Sequence, residues 1–522
     1  MVRRLAVSFS LGLLTVASPA LCDDRAFEAD AAAVYQGLAP TGMAVAVVKD
    51  GRLAFDHGFG TREVGKAQPV DADTVFPIHS MTKAFTAAAL AVLIDEGKLN
   101  WDDKVVAHLP EFAMSDPYVT REMTVRDLLV HRSGLSLGAG DLLLWPDAKA
   151  TPGEVVAALR HLPLATGFRE RFTYDNILYM VAGEVVARVS GMSWADFVEQ
   201  RLFVPLGMTS CSADPARPRP LPTALQHSRA GADAKVEALT DLDAVADPAG
   251  SISCSARDIA RWAVFQMGDG TAASGVRVLT PERLHEMQEG DVIMHTSGMR
   301  RRLANSHLTA YGLGWTVSDF AGERLVEHGG AGPGGLTNLV MLPDRKVAVV
   351  VLTNDIVPAH LLAYQLADRA VRGENAADWN GEVVRRYREF MAEKTKASDA
   401  AATADAATGM ATAHPLSAYA GTYRDPWYGD IVVRETGSGL EIHLTRSKLL
   451  RGPLVHRDGE TFVARWPDRH LNADAVVTFV ADGEGRPARL TIAPATPDVD
   501  FSFDYRDLHP VRVAGHSWSA LP

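Results

Sequence analysis

The stretch FPIHSMTKAFTAAALAVLIDEGKL, residues 76–99, sets Ser80 three positions before Lys83 at the start of a run of strong helix formers. The run ends at Gly97, and glycine commonly terminates helices, so the sequence predicts a helix that begins near Ser80. Residues three apart share one helix face, which brings the lysine amine within reach of the serine hydroxyl. A serine nucleophile needs such a base near neutral pH, and partial burial suits a lysine to that task. An ordinary surface lysine explains the same spacing.

A second motif lies in FTYDNILY, residues 172–179, where Tyr174 and Asn176 come just before a predicted helix. A tyrosine beside a lysine can relay a proton to a leaving group. An asparagine offers both a donor and an acceptor to a substrate amide. A turn that ends in an asparagine helix cap accounts for the motif equally well when it stands alone.

The third motif lies in VEHGGAGPGGLTNLVMLP, residues 326–343, where His328 is followed by Gly329 and Gly330. Glycines at a strand edge let a substrate lie close against the backbone. The N–H of Ala331 would then supply a donor to an oxyanion. An isolated His-Gly-Gly most often marks only a turn.

The three motifs occur in a matching order and in matching contexts: a helix start, a loop before a helix, and a strand edge. The stretches TVRDLLVHRSGL, YDNILYMVAGEVVARVSG and PAGSISCSARDIARW accompany them. Over residues 27–375 the sequence resembles the serine β-lactamase and penicillin-binding-protein family, in the branch of class C β-lactamases and S12 peptidases.

The resemblance implies an α+β fold of the β-lactamase/transpeptidase type, an antiparallel sheet flanked by helices with an additional helical half. It also implies a serine hydrolase that forms an acyl-enzyme on Ser80, with Lys83 and Tyr174 as the other catalytic residues. The positions that match substrate-binding residues of the family are Asn176, His328, Gly330 and Ala331.

The third motif departs from the family pattern, because many members carry a lysine where this chain has His328. A largely neutral imidazole binds a substrate carboxylate more weakly than a lysine does. We therefore expect a peptidase of the S12 type that acts on short or D-residue-containing peptides, with an esterase or a weak β-lactamase as alternatives. A penicillin-binding covalent sensor with little turnover is the alternative from another class.

Turn and periodicity patterns indicate the surrounding elements. Residues 50–51, Asp-Gly between two β-rich runs, predict a hairpin. Helices are predicted within residues 176–191 and 255–270, and a short one over 124–134. Strand-like runs gather at both ends of residues 23–380, so we expect both ends of this domain to contribute to one sheet.

The composition changes after residue 380. We assign a helix and linker to residues 381–415, because residues 397–413 are low in complexity and lack a large apolar side chain. Residues 416–522 contain short β-rich runs separated by Gly, Asp and Pro, which predict a small all-β barrel or sandwich. Some S12 peptidases carry a lipocalin-like barrel at this position.

The N-terminus predicts export. Residues 1–22 combine two arginines, a short apolar run and a small-residue cleavage site, so a periplasmic or secreted protein is expected. A lipoprotein modified at Cys22 is less favoured, because a bulky leucine precedes that residue. We expect Cys211 and Cys254 to be two separate buried side chains, although they could pair in an oxidising compartment.

The overall composition excludes several classes of partner. The chain has 522 residues and a net charge of -12, which argues against nucleic acid as a partner because phosphate binding needs a basic surface. No run after the signal is long and apolar enough for a membrane span. The histidines lack metal-ligand spacing, so we expect neither metal nor cofactor. Composition leaves the oligomeric state open.

Two further features compete with or extend this interpretation. The stretch GLSLG, residues 134–138, fits Gly-x-Ser-x-Gly with Ser136 as the nucleophile, but that motif works on a strand-to-helix elbow. Here a predicted helix precedes it, so we interpret Ser136 as a loop residue. Trp427 and Tyr428 of the predicted barrel are candidates for side chains that reach over the site.

Overall fold

The computed structural model describes residues 19–148, 150–217, 221–230, 235–239, 247–404, 411–437 and 439–513. Residues 1–18, most of the predicted signal sequence, lie outside these ranges. Within the ranges, no helix combines the length and the apolar character that a bilayer crossing requires. The predicted helix and linker over 381–415 includes part of a helix that ends at Ala404.

The first domain is built on an antiparallel sheet. The strands of this sheet, together with those of two small two-stranded sheets (β3 with β6, and β4 with β5), are β1 (Gly42–Lys49), β2 (Arg52–Gly60), β3 (Val75–Pro77), β4 (His227–Ala230), β5 (Lys235–Ala238), β6 (Ser253–Ser255), β7 (Val292–Met294), β8 (Thr309–Tyr311), β9 (Thr316–Phe320), β10 (Glu323–Gly332), β11 (Gly335–Leu342) and β12 (Val347–Thr353). Eight of the described strands form the main sheet, in the order β2-β1-β12-β11-β10-β9-β8-β7. Both ends of the domain contribute to it, as the sequence predicts.

Helices cover both faces of this sheet. They are α1 (Pro19–Leu38), α2 (Thr82–Asp95), α3 (Val105–His108), α4 (Pro117–Glu122), α5 (Pro152–Ala158), α6 (Ile177–Ser190), α7 (Trp194–Val198), α8 (Val204–Leu206), α9 (Ala256–Gln266), α10 (Pro281–Met287), α11 (Gly298–Ala304), α12 (Leu362–Arg372) and α13 (Trp379–Ala404). Alternate residues of β1 face opposite ways: Ala44 and Ala46 join the core with α2 and α9, whereas Val45 and Val47 join the core with α1 and α12.

Helix α2 lies at the centre of the domain. Every residue from Thr82 to Leu93 is buried, and a helix that is apolar on all sides belongs in a core. Strand β3 leads into it through a 3₁₀ turn at His79–Met81, so Ser80 lies just before the α-helix. The helix that the sequence predicts near Ser80 is thus confirmed, with its start shifted by two residues.

The short helix predicted over residues 124–134 is wrong, because only Arg126–Leu128 form a 3₁₀ turn there. The buried carboxylate of Asp127 accepts hydrogen bonds from the backbone N–H and the hydroxyl of Thr124, at 3.1 and 2.8 Å. It also pairs with the guanidinium groups of Arg132 and Arg169. Such side-chain-to-backbone bonds offer the chain an alternative to the helix.

The expectation for the two cysteines is also wrong, because Cys211 and Cys254 form a disulfide with a Cα–Cα distance of 4.2 Å. The cause is a local antiparallel bridge. Ser212 and Ser253 exchange backbone hydrogen bonds of 2.9 and 3.0 Å, which brings the neighbouring cysteines face to face. Nothing in the spacing of the two cysteines along the chain reveals this pairing.

The second domain is a closed antiparallel barrel. Its strands are β13 (Gly421–Asp425), β14 (Gly429–Thr436), β15 (Gly439–Leu444), β16 (Arg451–Asp458), β17 (Thr461–Ala464), β18 (Ala475–Ala481), β19 (Pro487–Pro494) and β20 (Val511–Arg512). Strand β20 pairs with both β13 and β19, so the sheet has no free edge. Of the two alternatives left by the sequence, barrel or sandwich, the structure has the barrel.

Candidate active site

The candidate nucleophile Ser80 sits on a strained turn. His79, the residue before it, has a left-handed backbone with φ of 49°, which is unusual for a residue other than glycine. The His79 ring packs against the β10–β11 hairpin, where a Cβ added to Gly332 would lie 2.1 Å from a ring carbon. Gly332 at the end of β10 therefore makes room for His79, and the turn that carries Ser80 packs against β10. Burial lowers the pKa of His79 to about 4.

Lys83 is fully buried, and its amine makes three hydrogen bonds. The Nζ atom lies 3.2 Å from Ser80 Oγ, 2.7 Å from Asn176 Oδ1 and 2.9 Å from the carbonyl oxygen of Ala249. The amide and carbonyl oxygens can only accept, so two N–H groups of the amine point at them. In the neutral amine, the remaining position toward Ser80 is a lone pair that can take the hydroxyl proton.

Tyr174 lies beside this amine on the loop that leads into α6. Lys83 Nζ is 4.9 Å from the centre of the Tyr174 ring, and the centre of the buried His131 ring lies 4.2 Å from that of the same tyrosine, with the two planes tilted by 34°. Within the described part of the chain, the Tyr174 hydroxyl has no hydrogen-bond partner. It is therefore available to a bound substrate.

The edge of β10 supplies the second backbone donor. Strand β9 pairs with β10 only as far as Glu327, so the described strands leave one edge of residues 328–332 uncovered. Backbone N–H groups alternate in direction along an antiparallel strand, and those of Glu327, Gly329 and Ala331 point to the side of β9. The exposed Ala331 thus directs its N–H into the space beside Ser80, as an oxyanion donor would.

Gly330 fixes the contact between this strand and the nucleophile turn. A Cβ added there would lie 2.2 Å from the carbonyl oxygen of Ile78 and 2.4 Å from Thr337 Oγ1. We expect Gly330→Ala to destabilise the fold by about 1–3 kcal/mol through overpacking and to lower kcat/KM by about 100-fold through displacement of Ala331 from Ser80. Thermal melts and steady-state kinetics measure the two effects.

The matched control is Gly153→Ala, since a Cβ added to Gly153 in α5 meets nothing within 4 Å. That variant should keep its activity. If Gly330→Ala retained full kcat/KM, the close contact between β10 and the nucleophile turn would not matter for catalysis.

His328 lies closer to the core than the sequence suggests. It is 6% exposed, its Nδ1 lies 2.6 Å from the carbonyl oxygen of Gly329, and its Nε2 lies 2.9 Å from the hydroxyl of Tyr311. A carbonyl only accepts, so Nδ1 carries the proton and Nε2 accepts from Tyr311. Burial, followed by the nearby charge of Lys83, lowers the pKa of His328 to about 3. The imidazole is therefore neutral at physiological pH, and both its nitrogens are occupied.

The barrel reaches the site through residues 500–508, the segment between β19 and β20. Phe501 meets the Tyr174 ring edge to face at 6.1 Å and is 40% exposed. Asp504 Oδ2 accepts a 2.7 Å hydrogen bond from the N–H of Gly140, and Asp507 accepts one from the hydroxyl of Ser136. Ser136, the serine of the competing motif, is thus a loop residue tied to the barrel.

Trp427 and Tyr428, the barrel residues singled out from the sequence, are both buried. The Trp427 indole donates to the carbonyl oxygen of Asp507 at 2.8 Å and so supports the segment that carries Phe501. Sequence reasoning missed Phe501, because an aromatic residue in a turn of a β domain carries no sign of where that domain docks.

Two buried carboxyl groups, those of Asp141 and Asp175, interact electrostatically with Lys83, and a third, that of Asp504, interacts with Asp141. Burial raises the pKa of Asp141 to about 8 and that of Asp175 to about 7, and it raises the pKa of Asp504 to about 9 with help from the neighbouring Asp507. Within the described residues, no group of three or more His, Cys, Asp or Glu side chains is arranged to hold a metal ion. The arrangement as a whole offers a nucleophile, a base and two backbone donors, which are the parts needed for acyl transfer.

Two family models match the sequence. The model described as Beta-lactamase matches residues 31–372, and the model of a domain of unknown function, DUF3471, matches residues 405–511. The penicillin-binding protein 4 of Amycolatopsis lactamdurans is 31% identical over 325 residues, which are 60% of this chain and 80% of that protein. An unguisins hydrolase of Aspergillus violaceofuscus is 25% identical over 510 residues, 87% of this chain and 83% of that protein.

Solved structures share the fold. The octameric penicillin-binding protein homologue from Pyrococcus abyssi matches with a TM-score of 0.59 at 19% identity, over 94% of this chain and 99% of its own. A D-stereospecific amidohydrolase from Streptomyces sp. matches with a TM-score of 0.52 at 24% identity, over 67% of this chain and 99% of its own. Class C β-lactamase from Rhodobacter sphaeroides gives a TM-score of 0.52 at 23% identity.

Proposed function

Because the chain belongs to the Beta-lactamase family, we propose that it is a serine hydrolase that forms an acyl-enzyme on Ser80 and cleaves amide bonds of short or D-residue-containing peptides. The observation that carries the proposal is the buried Lys83 amine, 3.2 Å from Ser80 Oγ and held by two oxygen acceptors. A lysine buried without such a task is uncommon, because desolvating an ammonium costs several kcal/mol.

The proposed reaction has two halves. In the first, Ser80 Oγ attacks the substrate carbonyl while its proton passes to Lys83, and the N–H groups of Ser80 and Ala331 stabilise the oxyanion. The amine that leaves takes up this proton, and the Tyr174 hydroxyl relays it from Lys83. In the second half, water attacks the acyl group and frees Ser80.

The contacts of the remaining motif residues refine their parts in this proposal. The oxygen of the Asn176 side chain accepts from Lys83, and one of its two N–H groups donates to Asp141. The second N–H is left for a substrate carbonyl. His328 does not assist the leaving group in our proposal, since both its nitrogens are occupied. It holds Tyr311 in place instead.

His328 also supports peptides over β-lactams. A β-lactam antibiotic carries a carboxylate, and the buried His328 is neutral. The family resemblance of the third motif implies a lysine at this position in many members. Two of the comparisons fit a preference for peptides. One relative is named an unguisins hydrolase, and one structural neighbour is a D-stereospecific amidohydrolase.

A substrate panel tests the proposal. We expect kcat/KM for p-nitroanilides of D-amino acids or short peptides to exceed that for a chromogenic cephalosporin by at least about 10-fold, which corresponds to roughly 1.4 kcal/mol of difference in transition-state stabilisation. Matched p-nitrophenyl esters measure the esterase alternative. Faster hydrolysis of the cephalosporin than of every peptide would contradict the proposed substrate class.

The same panel separates the sensor from the enzyme. A penicillin-binding sensor would be labelled stoichiometrically by a fluorophosphonate or a penicillin and would turn over none of the three substrate classes. Labelling together with sustained release of p-nitroaniline supports the hydrolase.

We also propose that the protein is exported to the periplasm or the medium. The predicted N-terminal signal and the Cys211–Cys254 disulfide support this location, since disulfides persist in oxidising compartments. Fractionation of cells that express the full chain, followed by blotting, tests it.

A further inference from the structure

The orientation of one amide links the catalytic lysine to a residue that no motif contains. The Asn176 side chain places its oxygen 2.7 Å from Lys83 Nζ and its nitrogen 2.7 Å from Asp141 Oδ2. An amide oxygen accepts and an amide nitrogen donates, so the two ends of Asn176 are not interchangeable. A rotation of 180° about its last bond would direct an NH₂ group at the lysine amine and an oxygen at the carboxyl oxygen.

Asp141 is built to hold one of these two orientations. It is 1% exposed and begins the 3₁₀ turn Asp141–Leu143, and its own N–H donates to the carbonyl oxygen of Gly138 at 3.0 Å. Its Oδ1 is buried and has no hydrogen-bond partner among the residues that the structure describes, so a proton carried there leaves Oδ2 free to accept. In either protonation state, Oδ2 accepts from Asn176.

The charged and polar groups around Asp141 come from several elements. Lys83 of α2 and Asp247 of the loop before β6 act on it electrostatically, and the Ser502 hydroxyl of the barrel segment contacts it. Asp504, from the same segment, holds the adjacent N–H of Gly140. Asp141 is therefore enclosed on the barrel side, and among the described residues its hydrogen bond to the catalytic centre is the one from Asn176.

We propose that Asp141 is a positioning residue of the acylation step, which keeps the oxygen of Asn176 turned toward Lys83 and so keeps the lysine aimed at Ser80. This role rests on the proposed function of Ser80 and Lys83. It does not extend to every buried carboxyl nearby, because Asp175 accepts from the hydroxyl of Ser133 and makes no hydrogen bond to the Asn176 amide.

The test is a double-mutant cycle on the rate of labelling by a fluorophosphonate. Asp141→Asn replaces the carboxyl group, whose Oδ2 accepts from Asn176, by an amide that can present either a donor or an acceptor there, so Asn176 loses its preferred orientation. We expect the maximal labelling rate to fall by roughly 10- to 100-fold while the half-saturating probe concentration stays within about twofold. In an Asn176→Ala background, the same change at Asp141 should have no further effect.

Asp175→Asn is the matched control, since it changes a neighbouring buried carboxyl in the same way. Its effect on the labelling rate should be independent of Asn176, so the double variant Asp175→Asn/Asn176→Ala should show the product of the two single effects. If Asp141→Asn lowered the labelling rate by the same factor in the wild type and in Asn176→Ala, the positioning role would be wrong. Labelling that survived in Ser80→Ala would instead contradict the proposed function.

A swap of the two side chains keeps the test decisive if Asp141→Asn folds poorly. The double variant D141N/N176D again places an oxygen toward the lysine and an NH₂ group against a carboxylate. N176D alone sets two carboxyl groups against each other. We expect the double variant to be labelled at least about 10-fold faster than N176D alone. If the double variant were labelled as slowly as N176D, the proposal would be wrong.

Discussion

The Ser80→Ala variant should lose all covalent labelling by a fluorophosphonate and lower kcat/KM by about 10⁴- to 10⁶-fold, the range seen when a serine hydrolase loses its nucleophile. The physical reason is that no other described hydroxyl lies within hydrogen-bond distance of the Lys83 amine. Mass spectrometry of the intact protein, with and without the probe, measures the labelling directly. Circular dichroism should show an unchanged fold, because only one half-buried oxygen is removed.

Ser136→Ala is the control for this result. Ser136 belongs to the competing Gly-x-Ser-x-Gly stretch, but its hydroxyl donates to the Asp507 carboxylate in the contact between the two domains, and among the described residues no lysine or histidine hydrogen-bonds to it. We expect the variant to be labelled on Ser80 as the wild type is. Labelling that depended on Ser136 and survived in Ser80→Ala would make the nucleophile assignment wrong.

The Lys83→Ala variant should acylate about 10²- to 10⁴-fold more slowly, which is the usual contribution of a general base. The same change removes three hydrogen bonds and leaves Asn176 Oδ1 and the Ala249 carbonyl oxygen without their donor. We therefore also expect a loss of about 1–3 kcal/mol in the free energy of unfolding. Single-turnover labelling kinetics and urea titration measure the two effects separately.

Lys104→Ala provides the control, because that lysine lies at the surface and pairs with Glu122 at 2.8 Å. Its loss should change neither labelling nor stability by a measurable amount, as is usual for an exposed ion pair. A Lys83→Ala protein that labelled at the wild-type rate would exclude lysine as the base and leave Tyr174 as the remaining candidate.

The sequence predicts the elements that local patterns encode. The helix after Ser80, the hairpin at residues 50–51, and the helices around 177–190 and 256–266 are all confirmed. The α+β domain followed by a barrel is confirmed as well. These features follow from turn residues and from hydrophobic periodicity, which depend only on neighbours in the chain.

The contacts that complete the candidate site could not be predicted, because each joins residues far apart in the sequence. Asp141 lies in a glycine-rich loop with no motif, and only the packing of that loop on α6 brings it to Asn176. The burial of His328 depends on Tyr311, which comes from a different strand. The Cys211–Cys254 bond depends on a two-residue bridge that no periodicity reveals.

The docking of the barrel segment at Phe501 has a consequence for how such a protein diversifies. The segment that touches Tyr174 belongs to a different domain from the Ser80 and Lys83 motif, and it lies in a turn outside the barrel strands. Turns accept substitutions and insertions more readily than strands or a buried helix do. In the proposed hydrolase, mutations in this turn would therefore change the space beside Tyr174 while Ser80 and Lys83 stay fixed. Selectivity and chemistry are thus able to evolve as separate traits within one gene.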